Sequence, residues 1–366
     1  MKLKRVLKWS ASVICLGLVV WFFVAYWTSS NDCERYNAVP TNPMKAIVYC
    51  EYGLTNLTLK DMEKPTPADN EVLVRVHASS VNPADMICKG GARIVTGLRK
   101  PKITRLGTDF AGTVEAVGKN VTRFKPGDDV FGGKTGAFAE YVCVREDRGI
   151  ALKPASVTFE QAGSVGIAGI TALQGLRDKG KIQSGQKVLV NGASGGVGTF
   201  AVQVAKSFGT EVTGVCSTRN LDMIHSIGAD HVIDYTKEDF TKTDQRYDVL
   251  FDNIQNHSFS ERRAILNPNG ICIMAGVGGS GASGGQIMGV LAGELNAYLS
   301  SRFTNQKFVA FLAQFSQKDL NVLADLMQSG KVTPVIDRTY KLSDVPDAFR
   351  YLEQGHARGK VVITVD

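Results

Sequence analysis

One stretch in the middle of the chain, "VLVNGASGGVGTFAVQVAKSFG" at residues 188–209, restricts the possible folds more than any other. An apolar run leads into a glycine-rich turn, and a helical pattern follows with Phe200, Val204 and Phe208 at four-residue spacing and Gly209 behind them. A strand before such a turn and a helix after it are the context that a dinucleotide-binding fingerprint requires. Glycines allow the backbone to approach a pyrophosphate, and the start of the helix offers free N–H groups to the phosphates. The stretch therefore predicts a nucleotide-binding strand–turn–helix unit.

The flanking sequence places this unit within a larger α/β pattern. Five strand candidates alternate with helical patterns, and they lie at residues 187–191, 211–216, 231–235, 247–252 and 270–275. Such alternation predicts a parallel sheet with helices on both faces. Short runs of period near two extend from Met44 to about Ile150, and similar runs return at the end of the chain. We therefore expect an α/β protein in which a doubly wound domain is inserted between two pieces of a β-rich domain.

The first 30 residues have a different character. Four of the seven excess positive charges lie in residues 1–8, so the rest of the chain has no basic excess that would indicate nucleic-acid binding. Residues 9–30 carry no charge, and about 20 apolar residues span a bilayer. The apolar run is long and bulky and has no small-residue cleavage site, which favours a retained transmembrane anchor at 9–27 over a cleaved signal peptide. Because positive charge precedes the span, the N-terminus is expected in the cytosol and the remaining chain across the membrane.

These patterns divide the chain into six segments. They are a basic flank at 1–8, a transmembrane signal anchor at 9–27, a polar tether at 28–43, the first part of the β-rich domain at 44–160, the doubly wound domain at 161–315 and a return segment at 316–366.

Cysteines and glycosylation sequons bear on the compartment. The seven cysteines are scattered without a CxxC pair, which favours mostly reduced, buried thiols over a zinc ribbon or a disulfide framework. Sequons occur at Asn56, Asn120 and Asn256, and a lumenal protein could carry glycans there, although chance sequons are common. Two locations stay open for a single-pass protein: the endoplasmic reticulum, and the mitochondrial inner membrane, where a Lys-rich start and a span can direct import.

The end of the second strand candidate indicates which nucleotide is bound. An NAD site usually carries an acid here, whereas "GVCSTRN" at residues 214–220 has none before Asp222. Ser217, Thr218 and Arg219 offer hydroxyls and a guanidinium, which suit a 2′-phosphate. The segment favours NADPH; the alternative is that Arg219 is a solvated residue at a helix start.

Several ordered motifs resemble the medium-chain dehydrogenase/reductase superfamily. They are "VLVNGASGGVGTFAVQVAK", "GADHVIDY", "YDVLFDN", "GHARGKVVITV", "SSVNPADMICKGG" and "LGTDFAGTVEAVG". The resemblance covers residues 44–366. More narrowly, the motifs resemble the zinc-independent quinone oxidoreductase branch, which includes zeta-crystallin and the reticulon-interacting mitochondrial NADPH oxidoreductases. It implies a GroES-like β-rich domain, an inserted Rossmann domain and an active site in the cleft between them. Members of the family are often dimers, so a homodimer stays open, although the sequence itself does not show the oligomeric state.

This chain has other residues at the positions where zinc-dependent members bind catalytic zinc. Such members place Cys, His and Cys where this chain has Asn82, Thr108 and, approximately, Ile167. Catalytic zinc needs about three nitrogen, sulfur or carboxylate ligands, so no metal site is expected. Without a Lewis acid, the suitable chemistry is hydride transfer from NADPH to an acceptor that is already electrophilic, such as a quinone or an α,β-unsaturated carbonyl.

The candidate site residues fall into two groups. For the substrate side we expect Asn82, Tyr52 and Asp85, each with a structural alternative: a turn former, a half-buried strand aromatic and a loop brace, respectively. For the cofactor side the resemblance implies Ser194, Gly195, Gly196 and Val197 at the pyrophosphate, Ser217 and Tyr235 at the adenosine phosphate, and Asn253, His356 and Arg358 nearby; Arg219 joins them from the argument above.

Two other functional classes are alternatives to this reductase. A short-chain dehydrogenase needs Tyr-x-x-x-Lys, and none of the ten tyrosines has Lys four residues later. A largely non-catalytic interaction protein that retains NADPH binding stays open as the alternative. The expected partners are a small quinone or enone and a membrane contacted through residues 9–27, with no nucleic acid.

Overall fold

The described part of the chain, residues 20, 23–24, 26–90, 93–275 and 305–365, forms three β-sheets with flanking helices in a computed structural model. The strands, in chain order, are β1 (Pro43–Val48), β2 (Thr58–Glu63), β3 (Glu71–Val81), β4 (Asp109–Val117), β5 (Asp129–Gly133), β6 (Tyr141–Arg145), β7 (Ile150–Leu152), β8 (Lys187–Asn191), β9 (Glu211–Cys216), β10 (His231–Asp234), β11 (Tyr247–Asp252), β12 (Leu266–Ala275), β13 (Lys307–Phe311), β14 (Ile336–Lys341) and β15 (Lys360–Thr364).

Most helices follow the strands of the second half. The α-helices are α1 (Arg93–Thr96), α2 (Phe159–Ala162), α3 (Gly166–Leu173), α4 (Gly196–Ser207), α5 (Leu221–Ser226), α6 (Phe259–Ala264), α7 (Gln317–Gln328) and α8 (Val345–Glu353). A π-helical turn, Gln174–Lys179, continues α3, and 3₁₀ turns lie at Cys33–Asn37, Leu54–Asn56, Pro83–Lys89, Thr218–Asn220, Phe240–Lys242 and Leu342–Asp344.

The second half of the chain builds the expected parallel sheet. Its order is β10-β9-β8-β11-β12-β13, and every neighbouring pair is parallel. The direction of the strand order reverses between β8 and β11, and ligands of such sheets bind beyond the carboxyl ends of the strands at this point. The Rossmann prediction is confirmed, with one strand more than expected, because β13 extends the sheet beyond β12.

The first half and the return segment share the second large sheet, as the pattern predicted. Its order is β14-β15-β3-β4-β5-β7, and β6 also pairs with β3. A separate antiparallel hairpin joins β1 and β2. Because β15 pairs with β3, residues from the end of the chain complete the GroES-like domain.

A continuous hydrophobic core joins the two large sheets. Helix α4 buries Phe200 and Val204 completely against β8, as its four-residue spacing predicts. The same cluster includes Phe131 of β5 and Phe251 of β11, so the two domains pack directly on each other. Truncating a fully buried aromatic such as Phe200 costs about 3–5 kcal/mol, so the packing of α4 contributes strongly to the stability of this core.

The segment predicted as a tether is docked on the β-rich domain. A disulfide joins Cys33 to Cys50 just after β1, with their Cα atoms 5.8 Å apart. The buried Tyr36 hydroxyl lies 2.7 Å from the Thr104 hydroxyl, and the Asn31 amide donates to the Cys50 carbonyl at 2.9 Å. The expectation of reduced thiols is therefore wrong for Cys33 and Cys50, because a 3₁₀ turn brings together two cysteines whose spacing matches no motif.

Among the described residues, four other cysteines are free: Cys88, Cys143, Cys216 and Cys272. The predicted anchor at 9–27 lies outside the described residues, except for positions 20, 23, 24, 26 and 27, which are helical. Among the helices that the structure describes, none is both long and apolar enough to cross a bilayer.

Candidate active site

The glycine turn between β8 and α4 has the form of a phosphate cradle. Gly192 has a φ of +81°, and the Gly195 N–H donates to the Gly192 carbonyl at 3.1 Å. A Cβ atom at Gly198 would lie 2.0 Å from that carbonyl oxygen, so only glycine fits there. Gly195 caps α4 without a side-chain hydrogen bond from the described residues, which leaves the first N–H groups of the helix for an anion.

The return segment closes one side of this turn. The Gly359 N–H donates to the Ser194 carbonyl at 2.8 Å, and Gly195 forms a parallel bridge with Gly359. His356 and Arg358 precede this contact and are exposed. The structure thus brings both residues to the edge of the cradle, as the resemblance implies.

The loop after β9 extends the cradle. Ser217 lies directly beyond β9, and exposed Arg219 donates to the His356 carbonyl at 2.5 Å. The Tyr235 N–H donates to the Cys216 carbonyl at 3.1 Å, which places Tyr235, 57% exposed, beside the same loop. These predicted cofactor residues therefore share one edge of the sheet.

Asp234 braces this loop from the adjacent strand, a role that the sequence did not reveal. Its carboxylate accepts from the Thr218 hydroxyl at 2.5 Å and from the Thr236 hydroxyl at 2.7 Å. The Thr218 hydrogen bond is the main reason that the pKa of Asp234 falls to about 2. Asp234 therefore holds the Thr218 hydroxyl, while the Ser217 hydroxyl accepts from the Asn220 amide at 3.1 Å in the same loop.

Asn253 provides a test of whether a nicotinamide nucleotide fits. It follows β11, and its N–H donates to the Asn191 carbonyl at 3.2 Å, which fixes it beside the glycine turn. Its side-chain Nδ2 is buried and has no hydrogen-bond partner among the described residues. A buried amide donor without an acceptor costs about 1–3 kcal/mol. An orphaned donor next to a cradle with free N–H groups fits a cofactor that supplies the acceptor.

A second, buried network occupies the substrate side. Asn82 begins the 3₁₀ turn Pro83–Lys89, and its Nδ2 donates to Asp109 Oδ2 at 2.9 Å and to the Ser80 carbonyl at 3.2 Å. Its Oδ1 accepts from the Lys360 ammonium at 2.5 Å. The amide of Asn82 is therefore fully engaged and holds its neighbours in place.

Lys360 is the residue of this network that sequence reasoning missed. Its side chain is 3% exposed, and its ammonium lies 3.4 Å from Asp109 Oδ2, whose side chain is completely buried. Gly196 of the cradle faces its stem, since a Cβ atom there would lie 3.1 Å from Lys360 Cδ. The aliphatic stem of Lys360 thus lies beside the cofactor cradle, while its ammonium binds the substrate-side network.

The three positions that differ from the zinc-dependent pattern converge on two carboxylates. Asn82 and the Ile167 N–H donate to Asp109, the latter at 2.7 Å, and the Thr108 hydroxyl donates to Asp85 at 2.8 Å. Within the described ranges, no three His, Cys, Asp or Glu side chains lie close enough to hold a metal ion. The cation that this donor set holds is the Lys360 ammonium.

Asp85 has the most perturbed acidity of this group. Its Oδ2 accepts from the Asn82 N–H at 2.9 Å, so it closes a capping box and braces the loop. Burial raises the pKa of Asp85 to about 7; the Thr108 hydrogen bond opposes this rise, and the Asp109 charge adds to it. Asp85 therefore changes protonation near neutral pH.

Tyr52 belongs to a neighbouring set of contacts. Its hydroxyl donates to the Gly97 carbonyl at 2.6 Å and lies 2.9 Å from the Thr96 hydroxyl. The Arg93 guanidinium lies 4.7 Å from the centre of its ring. Asn82 and Asp85 come together as expected, whereas Tyr52 is engaged outside their network. A groove of about 370 Å³ between β7 and α7 shares no lining residue with either set.

Comparisons with known proteins agree with this architecture. Residues 68–155 match the model for the alcohol dehydrogenase GroES-like domain, and residues 227–363 match the model described as zinc-binding dehydrogenase. The mouse protein "NAD(P)H oxidoreductase RTN4IP1, mitochondrial" (Mus musculus) is 33% identical over 81% of this chain and 82% of its own length. The chain belongs to the medium-chain dehydrogenase/reductase superfamily.

Two other relatives place this reductase in the quinone oxidoreductase branch. The "NADPH-dependent alkenal/one oxidoreductase, chloroplastic" of Arabidopsis thaliana is 32% identical over 87% of this chain and 79% of its own length. The solved quinone oxidoreductase from Coxiella burnetii has a TM-score of 0.76 and 30% identity, covering 89% of this chain and all of that one. As a medium-chain reductase, the protein uses a nicotinamide cofactor.

Proposed function

We propose that this medium-chain reductase transfers hydride from NADPH to a quinone or an α,β-unsaturated carbonyl without zinc. The observation that carries the proposal is the network of Asn82, Asp109 and Lys360, which lies against the glycine cradle and has a buried lysine ammonium and hydrogen bonds where zinc-dependent members have metal ligands. Such a site suits acceptors that are electrophilic before they bind. The names of the Arabidopsis and Coxiella relatives support the same acceptor classes.

The cradle residues would hold the cofactor, which supplies the hydride when bound. Ser194, Gly195, Gly196 and Val197 would surround the pyrophosphate at the start of α4. Arg219 has five N–H donors, of which one is used by His356, so its guanidinium retains donors for a 2′-phosphate. This favours NADPH over NADH.

Protonation of the reduced acceptor is assigned to Thr108 and Asp85. Hydride addition to a quinone or enone leaves an oxyanion, which must gain one proton to complete the reduction. Protonated Asp85 can donate to the Thr108 oxygen, so that the Thr108 hydroxyl turns its own proton toward the oxyanion. Thr108 is half-buried whereas Asp85 is buried, so Thr108 is the member of this pair that a substrate can reach.

The test is NADPH oxidation by the full chain in detergent against a panel of quinones and enones. Thr108→Val should lower kcat by about 10²-fold or more if its hydroxyl delivers the proton. Thr113→Val is the matched control, since Thr113 lies on β4, which begins directly after Thr108, and also donates to a carboxylate, that of Asp129 at 3.0 Å. Tight NADPH binding without oxidation by any acceptor would instead favour the non-catalytic interaction protein.

We also propose that residues 9–27 hold the reductase at a membrane, where apolar quinones dissolve. The name of the mouse relative favours mitochondria, whereas the Cys33–Cys50 disulfide favours a compartment that forms disulfides. Alkaline extraction of membranes checks the anchor: the chain should stay in the pellet, and release by carbonate would contradict the proposal.

A further inference from the structure

The turn between β4 and β5 carries an accessible sequon. Asn120 and Thr122 are both exposed, and Val121 between them is half-buried. The backbone of the turn is fixed, because the Asn120 N–H donates to the Asp69 carbonyl at 2.8 Å. Among the described residues, none forms a hydrogen bond with the Asn120 side chain, which therefore projects from an ordered turn.

The other two sequons have asparagines with structural roles. The Asn56 amide donates to the Tyr52 carbonyl at 2.9 Å, so a sugar on that nitrogen would disturb the fold there. Asn256 Oδ1 accepts from Asn191 at 3.2 Å, beside the cofactor cradle. Of the three asparagines, Asn120 is the one whose side chain forms no hydrogen bond within the described part of the chain.

Asn120 also lies far from the active site. Strand β4 begins at Asp109 in the substrate-side network and runs to Val117, so its two ends are about 26 Å apart at 3.3 Å per residue. A glycan at Asn120 would leave the cleft open.

The disulfide indicates independently which compartments the folded chain occupies. Cys33–Cys50 bonds persist in the secretory pathway and other oxidising compartments, but not in a reducing cytosol. The bond clamps the start of the described chain to the β-rich domain, so both domains share its compartment. The basic residues before the predicted span place the same part of the chain across the membrane from the cytosol.

We propose that Asn120 is an N-glycosylation site and that both domains of the reductase lie in the lumen of the secretory pathway. The Asn120 amide nitrogen forms the bond to the anomeric carbon of a lipid-pyrophosphate-linked oligosaccharide and loses a proton. The anomeric C–O bond breaks, and the lipid pyrophosphate leaves. This inference does not depend on the proposed reductase activity.

The experiment is expression of the full chain in cultured animal cells, followed by peptide-N-glycosidase digestion and gel electrophoresis. We expect the wild-type band to shift by one glycan, Asn120→Gln and Thr122→Ala to abolish the shift, and Thr122→Ser, which keeps the sequon, to retain it. Asn56→Gln should shift as the wild type does. Because Asn120 is exposed, Asn120→Gln should fold normally, which its unchanged melting temperature would verify.

Thiol alkylation and mass spectrometry of the same material measure whether Cys33 and Cys50 are oxidised. This oxidation state, together with the glycosidase shift, distinguishes the possible results. An oxidised pair with the Asn120-dependent shift supports the proposal. An oxidised pair without a shift overturns it and places the chain in an oxidising compartment without this glycosylation, such as the mitochondrial intermembrane space. Reduced thiols, or a shift that persists in Asn120→Gln, also overturn it.

Discussion

Replacing Lys360 by Met tests the buried charge that links the two halves of the site. Met keeps an unbranched stem beside Gly196 and removes the ammonium. Asp109 is completely buried and would keep three donors: Ser80 Oγ at 2.7 Å, Asn82 Nδ2 at 2.9 Å and the Ile167 N–H at 2.7 Å. Removing one partner of a buried ion pair costs about 3–5 kcal/mol. Because three donors remain on the carboxylate, we expect a loss near the lower limit, about 3 kcal/mol.

The assay is urea unfolding of the wild type, Lys360→Met, Asp109→Asn and the double variant. If the charges interact as the geometry indicates, the double variant should be more stable than the sum of the two single losses predicts, by about 1–3 kcal/mol. Lys119→Met is the control, since it breaks an exposed pair with Asp69 and should change the midpoint little. Strict additivity, or a Lys360→Met midpoint equal to that of the control, would refute the reasoning.

Three further predictions concern acidity, cofactor choice and covalent structure. Folded Asp85 keeps a proton that the unfolded chain loses, so wild-type stability should fall as pH rises from about 4 to about 7, and Asp85→Asn should flatten this decline in urea midpoints; an unchanged slope would exclude Asp85 as its source. Arg219→Glu should raise the KM for NADPH by about 10–100-fold and leave that for NADH nearly unchanged, as steady-state kinetics would show; equal effects on both would remove Arg219 from the 2′-phosphate site. Replacing Cys33 and Cys50 by Ser should lower stability by about 3 kcal/mol, and a reductant should bring the wild type to the same thermal midpoint; a reductant-insensitive wild type would contradict this.

Local patterns were sufficient to predict the Rossmann sheet. The apolar run before Gly192 predicts strand β8, and the four-residue spacing from Phe200 to Val204 predicts helix α4. Both patterns depend only on residues that are neighbours in sequence. Strand β13 was not predicted because it follows a Gly- and Ser-rich stretch that has no hydrophobic periodicity. Its place in the sheet comes from pairing with β12, which a single segment does not encode.

The sequence predicted the positions of the cofactor-side candidates better than the contacts of the substrate-side candidates. Ser217 and Asn253 follow strands, and the carboxyl ends of parallel strands meet at one edge, so topology alone brings them together. The sequence pointed to Asn82 but did not show that hydrogen bonds occupy its side-chain amide, because one of its partners, Lys360, is 278 residues away. A lysine at the start of a strand looks solvated in sequence, and its burial depends on the tertiary fold.

The pairing of β15 with β3 sets an order on the synthesis of the protein. Val81 and Val361 are register partners, so the inner edge of β3 stays open while the whole Rossmann domain is translated. Closing so long a loop slows folding, and an open strand edge invites association with other chains. Until β15 arrives, Asp109 also lacks the Lys360 ammonium that pairs with it in the folded protein. The nascent β-rich domain therefore has its greatest need for chaperone protection late in translation, when most of the chain has already been made.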